Sequence, residues 1–81
     1  MTVIFGEGVD KLFLDLPNRV QTQALEMFRL IVSFPRMFPV RRRGTGKGYR
    51  FFTAGRFVFF YSVSSEQIRI ITILPGGMRR T

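Results

Sequence analysis

Three β-prone runs in the second half of the chain constrain its fold more than any other feature. Residues 49–53, 56–63 and 67–74 are dense in Phe, Tyr, Val and Ile, and each is followed almost at once by the next. Such short gaps leave no room for a crossover, so neighbouring runs must pair antiparallel. Ala54-Gly55 and Ser64-Ser65 are the expected tight turns. With Ser64-Ser65 as the turn, Tyr61 falls opposite Ile68, Phe59 opposite Ile70, and Phe57 opposite Thr72. Those residues share one apolar face, which should receive helices. The other face then carries Arg56, Val58, Phe60 and Ser62 beside Gln67, Arg69, Ile71 and Ile73. The first hairpin loop can hold two residues or three, so the face that carries Arg50 stays open.

The first half obeys another period. Residues 2–5 read as a short strand, ended by Gly6 and Gly8. Val9, Leu12, Phe13 and Leu16 recur at helical spacing, with Asp10, Lys11 and Asp15 outside that stripe. Pro17 stops this helix and suits the start of the next. From Asn18, the positions Val20, Ala24, Met27, Phe28 and Ile31 form one apolar stripe, which Pro35 closes. Almost nothing joins the two helices, so a helical hairpin is expected. Residues 35–48 hold two Pro, three consecutive Arg and three Gly, and read as a loop with a short extended piece near residues 38–41. Pro75-Gly76-Gly77 ends the sheet and leaves a basic tail. The fold class is α+β: an N-terminal strand and two-helix hairpin packed on a three- to four-stranded antiparallel sheet. Residues 1–81 are expected to form a single domain.

Composition narrows the chemistry. Ten Phe residues answer the need of an 81-residue chain for a dense core. The longest apolar runs are far below the ~20 residues that span a bilayer, so no membrane segment is expected. No basic segment followed by an apolar stretch opens the chain, so no secretion signal is expected. Cys and His are both absent. That removes disulfides, thiol chemistry and the commonest general base and metal ligand. Five carboxylates without metal-ligand spacing argue against a metal centre, and no cofactor is expected. A cytoplasmic location fits the lack of Cys.

The charge is asymmetric. Residues 1–35 carry three cations against four carboxylates, whereas residues 36–81 carry ten cations against Glu66 alone. Such a distribution calls for an anionic partner. Eleven of the thirteen cations are Arg, whose planar fork grips phosphate through two hydrogen bonds. Arg41, Arg42, Arg43, Lys47, Tyr49 and Arg69 are therefore the candidate nucleic-acid-binding residues: cations hold phosphates, and aromatic faces stack on unpaired bases. Gly44-Thr45-Gly46-Lys47-Gly48 has a faint look of a phosphate-binding loop. Its spacing is too short and a strand follows it, so it reads as a flexible loop.

The order strand, helical hairpin, Pro-bounded basic loop and meander resembles the RelE/ParE superfamily of bacterial toxins from type II toxin–antitoxin systems. The residues that carry the resemblance are Leu16-Pro17, Phe38-Pro39, Gly48-Tyr49-Arg50, the run from Gly55 to Val63 and the run from Ile68 to Leu74. It covers nearly the whole chain. It implies a growth-inhibiting toxin, of the kind that stabilises plasmids, neutralised by a cognate antitoxin with an acidic segment. Two activities follow from it: metal-independent, ribosome-dependent mRNA cleavage, or inhibition of DNA gyrase without nuclease action. A third reading is an RNA-binding or catalytically degenerate member. For the cleaving reading, the resemblance casts Arg50, Arg56, Arg79 and Arg80 as catalytic cations around the scissile phosphate. The chain departs from the superfamily pattern where Val58 and Phe59 occupy a position at which Arg is common. A homo-oligomer or a toxin–antitoxin hetero-oligomer are the assemblies expected.

Overall fold

The structure, a computed structural model, describes residues 1–76. Arg79 and Arg80, two of the expected catalytic cations, lie outside the described residues.

Strand β1 (Thr2–Phe5) opens the chain. Helix α1 follows at Val9–Leu14, with Gly8 as its N-cap in the left-handed region at φ 77°. It is two residues shorter than the apolar spacing suggests, because Asp15 and Leu16 already turn toward Pro17. Leu16 nevertheless stays buried. Helix α2 spans Asn18–Ser33 with Pro17 at its N-cap, and its stripe Val20, Ala24, Phe28 and Ile31 is buried. Gln21, one turn into α2, donates through Nε2 to the carbonyls of Leu14 (3.2 Å) and Leu16 (2.9 Å). That side chain satisfies orphan carbonyls at the end of α1, a helix too short to hold itself.

Strands β2 (Arg50–Ala54), β3 (Phe57–Val63) and β4 (Gln67–Pro75) form the expected meander. The sheet order is β1-β4-β3-β2. The β2–β3 and β3–β4 pairs are antiparallel, and β1 joins at the edge parallel to β4, which makes the sheet mixed. The parallel pair is possible because two helices separate β1 from the meander and carry the chain back across one face. Helix α1 lies against β4, and α2 reaches β2 and β1.

Register is where sequence and structure part. Ala54 pairs with Phe57, so the first turn is Gly55-Arg56. Gly55 takes φ 60°, and a methyl there would press on Val20. Arg56 therefore lies in the turn and not in the strand. In the second hairpin Val63 pairs with Ile68, and Ser64 N–H donates to the Gln67 carbonyl at 2.9 Å. The turn is Ser65-Glu66, one residue later than expected, so Tyr61 pairs with Ile70 instead of Ile68. A slip of two in pairing keeps each side chain on its face. A β-bulge then intervenes: Tyr61 pairs with Ile70 but Phe60 with Thr72, leaving Ile71 as the extra residue. Beyond it the alternation inverts. Ile73 enters the core at 5% exposure, and Thr72 and Leu74 join the face opposite the helices.

The core is aromatic. Phe28 reaches from α2 to within 6.0 Å, centroid to centroid, of Phe5, Phe13, Phe52 and Phe59. Phe52 and Phe59 stack at 4.9 Å across β2 and β3. Ile68, Ile70 and Tyr61 are wholly enclosed beside them. Among the described residues no charged side chain is buried and the Tyr61 phenol is the one polar group enclosed with the core, and no helix is long and apolar enough to cross a membrane.

Candidate functional site

Arg41, Arg42, Arg43, Lys47 and Arg69 lie at the sheet face that the helices leave open. The chain reaches it by a short extension of the sheet. Val40 bridges to Arg50, Arg41 N–H donates to the Tyr49 carbonyl at 2.7 Å, and Phe51 N–H to the Pro39 carbonyl at 3.3 Å. The extended piece expected near residues 38–41 is thus a bridge at the β2 edge. Residues 42–48 then fold back, held by Gly48 N–H on the Arg41 carbonyl (2.8 Å) and Tyr49 N–H on the Gly46 carbonyl (3.0 Å).

This loop covers the open face. Gly46, at φ 85°, sits so close to Phe60 that any β-carbon there would run into the ring. Phe60 is only 2% exposed, although it points away from the helices. The Arg41 guanidinium lies over the Phe51 and Phe60 rings, 5.4 and 5.8 Å from their centroids, and its Nε donates to the Arg43 carbonyl. Two cation–π contacts fix the root of the loop. Arg42, Arg43 and Lys47 are exposed beyond it. Arg69 is exposed farther along the same face, in a row with Ser62 on β3 and Ile4 on β1. Tyr49 is 37% exposed at the base of the loop. The six expected binding residues thus divide into the loop group and the single cation Arg69.

The expected catalytic residues do not converge. Arg50 pairs with Tyr61, on the side of the sheet that faces the helices. Its Nη1 donates to the Phe38 carbonyl at 2.6 Å and the Arg36 carbonyl at 3.3 Å. Its neighbour Tyr61 donates through its hydroxyl to the Pro35 carbonyl at 3.1 Å. Together they clamp the segment that leaves α2. Burial holds the Tyr61 phenol above its ordinary pKa, and the Arg50 charge partly offsets this. Arg56 sits in the turn at the other end of the five-residue strand β2. There it flanks, with Arg19, an apolar recess of about 530 Å³ lined by Val20, Phe57 and Pro75. No group of three or more acidic side chains comes together among the described residues.

Phe51 is the site residue that sequence reasoning missed, whereas Phe60 was expected on the open face and Thr45 and Gly46 in a flexible loop, with nothing to bring the two together. Alternation along β2 and β3 places both rings on one face only once the first turn is known to be two residues long.

Among solved structures, the chain is similar to RelE in the archaeal RelE–RelB complex from Pyrococcus horikoshii OT3. The two are 24% identical, superpose with a TM-score of 0.76, and cover 96% of this chain and 97% of that one. The fold is the RelE fold. No protein-family model matches the chain. Comparison with curated proteins finds no match either. Set on the RelE fold, the basic loop and Arg69 occupy the open sheet face, whereas Arg50 serves the opposite side.

Proposed function

We propose that the protein is the toxin of a type II toxin–antitoxin pair and that it acts on translation, engaging ribosome-bound mRNA with its open sheet face. The observation that carries this reading is the concentration of Arg41, Arg42, Arg43 and Lys47 in a loop folded over that face. The RelE-like fold supports it. Cations so placed hold a phosphate backbone and can stabilise the charge that develops at a scissile phosphate. Metal-independent cleavage by attack of the 2′-hydroxyl is the activity this reading assigns. The partner it implies is an antitoxin rich in carboxylates.

One observation favours a second reading, a toxin that blocks DNA gyrase without cutting RNA. Arg50, the first of the residues the resemblance casts as catalytic, has its guanidinium engaged by the carbonyls of Arg36 and Phe38.

Induced expression separates the two. The chain is expressed alone and together with any small acidic reading frame that adjoins its gene, and mRNA ends are mapped by primer extension. Growth arrest relieved by the neighbour, with new mRNA ends, supports the first reading. Arrest with intact mRNA and inhibited supercoiling supports the second. Harmless expression overturns both.

A further inference from the structure

The apolar recess of about 530 Å³ lies where three element ends meet, on the helix side of the sheet. Pro17 and Val20 come from the start of α2, Gly55 and Phe57 from the β2–β3 hairpin, and Pro75 and Gly76 from the end of β4 and the residue after it. Val20 and Phe57 also pack against the core, which fixes the floor. The walls are tied to one another. Gly55 rests directly on Val20, Gly76 N–H donates to the Arg56 carbonyl at 2.7 Å, and Phe57 pairs with Pro75. Two of the wall residues are proline, whose φ is fixed. The recess is therefore formed before any ligand arrives, as small-molecule sites usually are. No residue of the basic loop lines it.

We propose that this recess binds a small apolar carboxylate: one ring system or short hydrocarbon chain that carries a single carboxylate group. Size is the first argument. The volume falls within the ~300–1,000 Å³ of sites that enclose small-molecule ligands. Lining is the second. Pro17, Val20, Phe57 and Pro75 present apolar surface, and the only polar side chains beside them are Arg19 and Arg56. Sites of this class combine an apolar lining with a few polar groups that orient the ligand. Charge is the third. Both arginines are exposed, and no carboxylate lines the recess. A guanidinium fork matches a carboxylate through two parallel hydrogen bonds. A cationic ligand would be repelled, and a neutral one would leave both forks without a charged acceptor. The occupant is thus an anion with an apolar body, whose body lies on Val20 and Phe57 and whose carboxylate meets Arg19 and Arg56. Residues 77–81 of this chain fit the site less well, since they bring Arg79 and Arg80, of the same sign as the arginines already there. This ligand site does not rest on the toxin reading.

The test uses the full chain and three probes: naphthylacetate, its neutral amide of the same shape, and acetate. Affinity is read by calorimetry, and the site by backbone amide shifts in heteronuclear NMR. Naphthylacetate should bind about tenfold or more tightly than the amide, as charge-assisted hydrogen bonds require. Its shifts should cluster at Val20, Gly55, Phe57 and Gly76, and acetate should not reproduce them. Arg19→Gln should remove most of the preference for the acid and leave the affinity for the amide unchanged. Arg56→Gln is the second variant, and thermal melting confirms that each is folded. Binding of neither naphthyl probe would overturn the proposal. So would equal binding of acid and amide, or the same shifts with acetate, which would reduce the effect to ion pairing with a basic protein. Shifts confined to residues 41–48 would do so as well. Two further outcomes name another occupant and also sink the proposal. One is a nuclear Overhauser contact between the Met78 methyl and the Phe57 ring in the free chain. The other is an acetylated Glu-Phe-Glu peptide that shifts the recess residues when naphthylacetate does not, which would assign the recess to a protein partner.

Discussion

Tyr61 and Arg50 form a small polar unit at the margin of an aromatic core. Tyr61 is fully enclosed, yet its hydroxyl reaches the Pro35 carbonyl. A phenol whose pKa is raised on folding binds its proton more tightly in the native state. Its contribution is therefore complete below the ordinary tyrosine value of about 10 and is lost as pH rises through the folded value. Tyr61→Phe should lower stability by about 0.5–1.5 kcal/mol at neutral pH, the value of one hydrogen bond. It should also remove part of the stability loss above about pH 10, as read from urea melts of both proteins between pH 8 and 11. Arg50→Gln should cost more, about 1.5–3 kcal/mol, because its bonds to carbonyls are charge-assisted. If Arg50 is purely a clamp, its loss will lower the melting temperature while RNA affinity at a temperature where the variant is folded stays within about twofold of wild type. A large loss of affinity in a folded Arg50→Gln protein would return Arg50 to the site.

At the scale of elements, the bulge in β4 and the fold-back of the basic loop meet on the open sheet face. The bulge sends Ile73 inward and Leu74 outward, and the loop lies over the rings beside Leu74. The sequence around it, Ile70-Ile71-Thr72-Ile73-Leu74, is apolar at four of five positions, so periodicity cannot say where the alternation inverts. Helix α2 is the opposite case. Its buried stripe is legible from spacing alone, and Phe28 at its centre touches four other rings. Phe28→Ala should destabilise the fold by about 3–5 kcal/mol, since neighbours from α1 and three strands cannot all collapse into the cavity. Chemical denaturation would show this as a lower midpoint at unchanged slope. A loss under about 1 kcal/mol would mean that the ring cluster is not the keystone of packing.

For the whole molecule the governing quantity is a formal net charge of +8, concentrated after residue 35. The described residues hold the loop cations side by side without a carboxylate among them. Salt should therefore act in two directions. It should stabilise the free protein modestly by screening repulsion, and it should weaken RNA binding by competing for phosphates. Replacing Arg41, Arg42 and Arg43 with Ala should flatten the plot of log affinity against log salt for single-stranded RNA by about 2, near 0.7 for each phosphate no longer neutralised. Titrations from low to moderate salt would measure it. An unchanged slope would place the RNA-binding cations elsewhere, with Arg69 the next residue to replace.

The strand, the two helices and the meander were legible in the amino-acid sequence, because their periods and the prolines and glycines between them are local signals. So was the charge of the second half. The antiparallel pairing of neighbouring runs followed from their short gaps, but the registers did not. The turns at Gly55-Arg56 and Ser65-Glu66 each begin one residue after the expected position, and only cross-strand hydrogen bonds settle such a shift. Arg50 could not be assigned to a face until the first turn was known to hold two residues, and the structure then gave it to the helix side. The cationic loop was legible as composition. That it lies on Phe51 and Phe60 was not, since Gly46 meets Phe60 across fourteen residues of sequence and only packing brings them together.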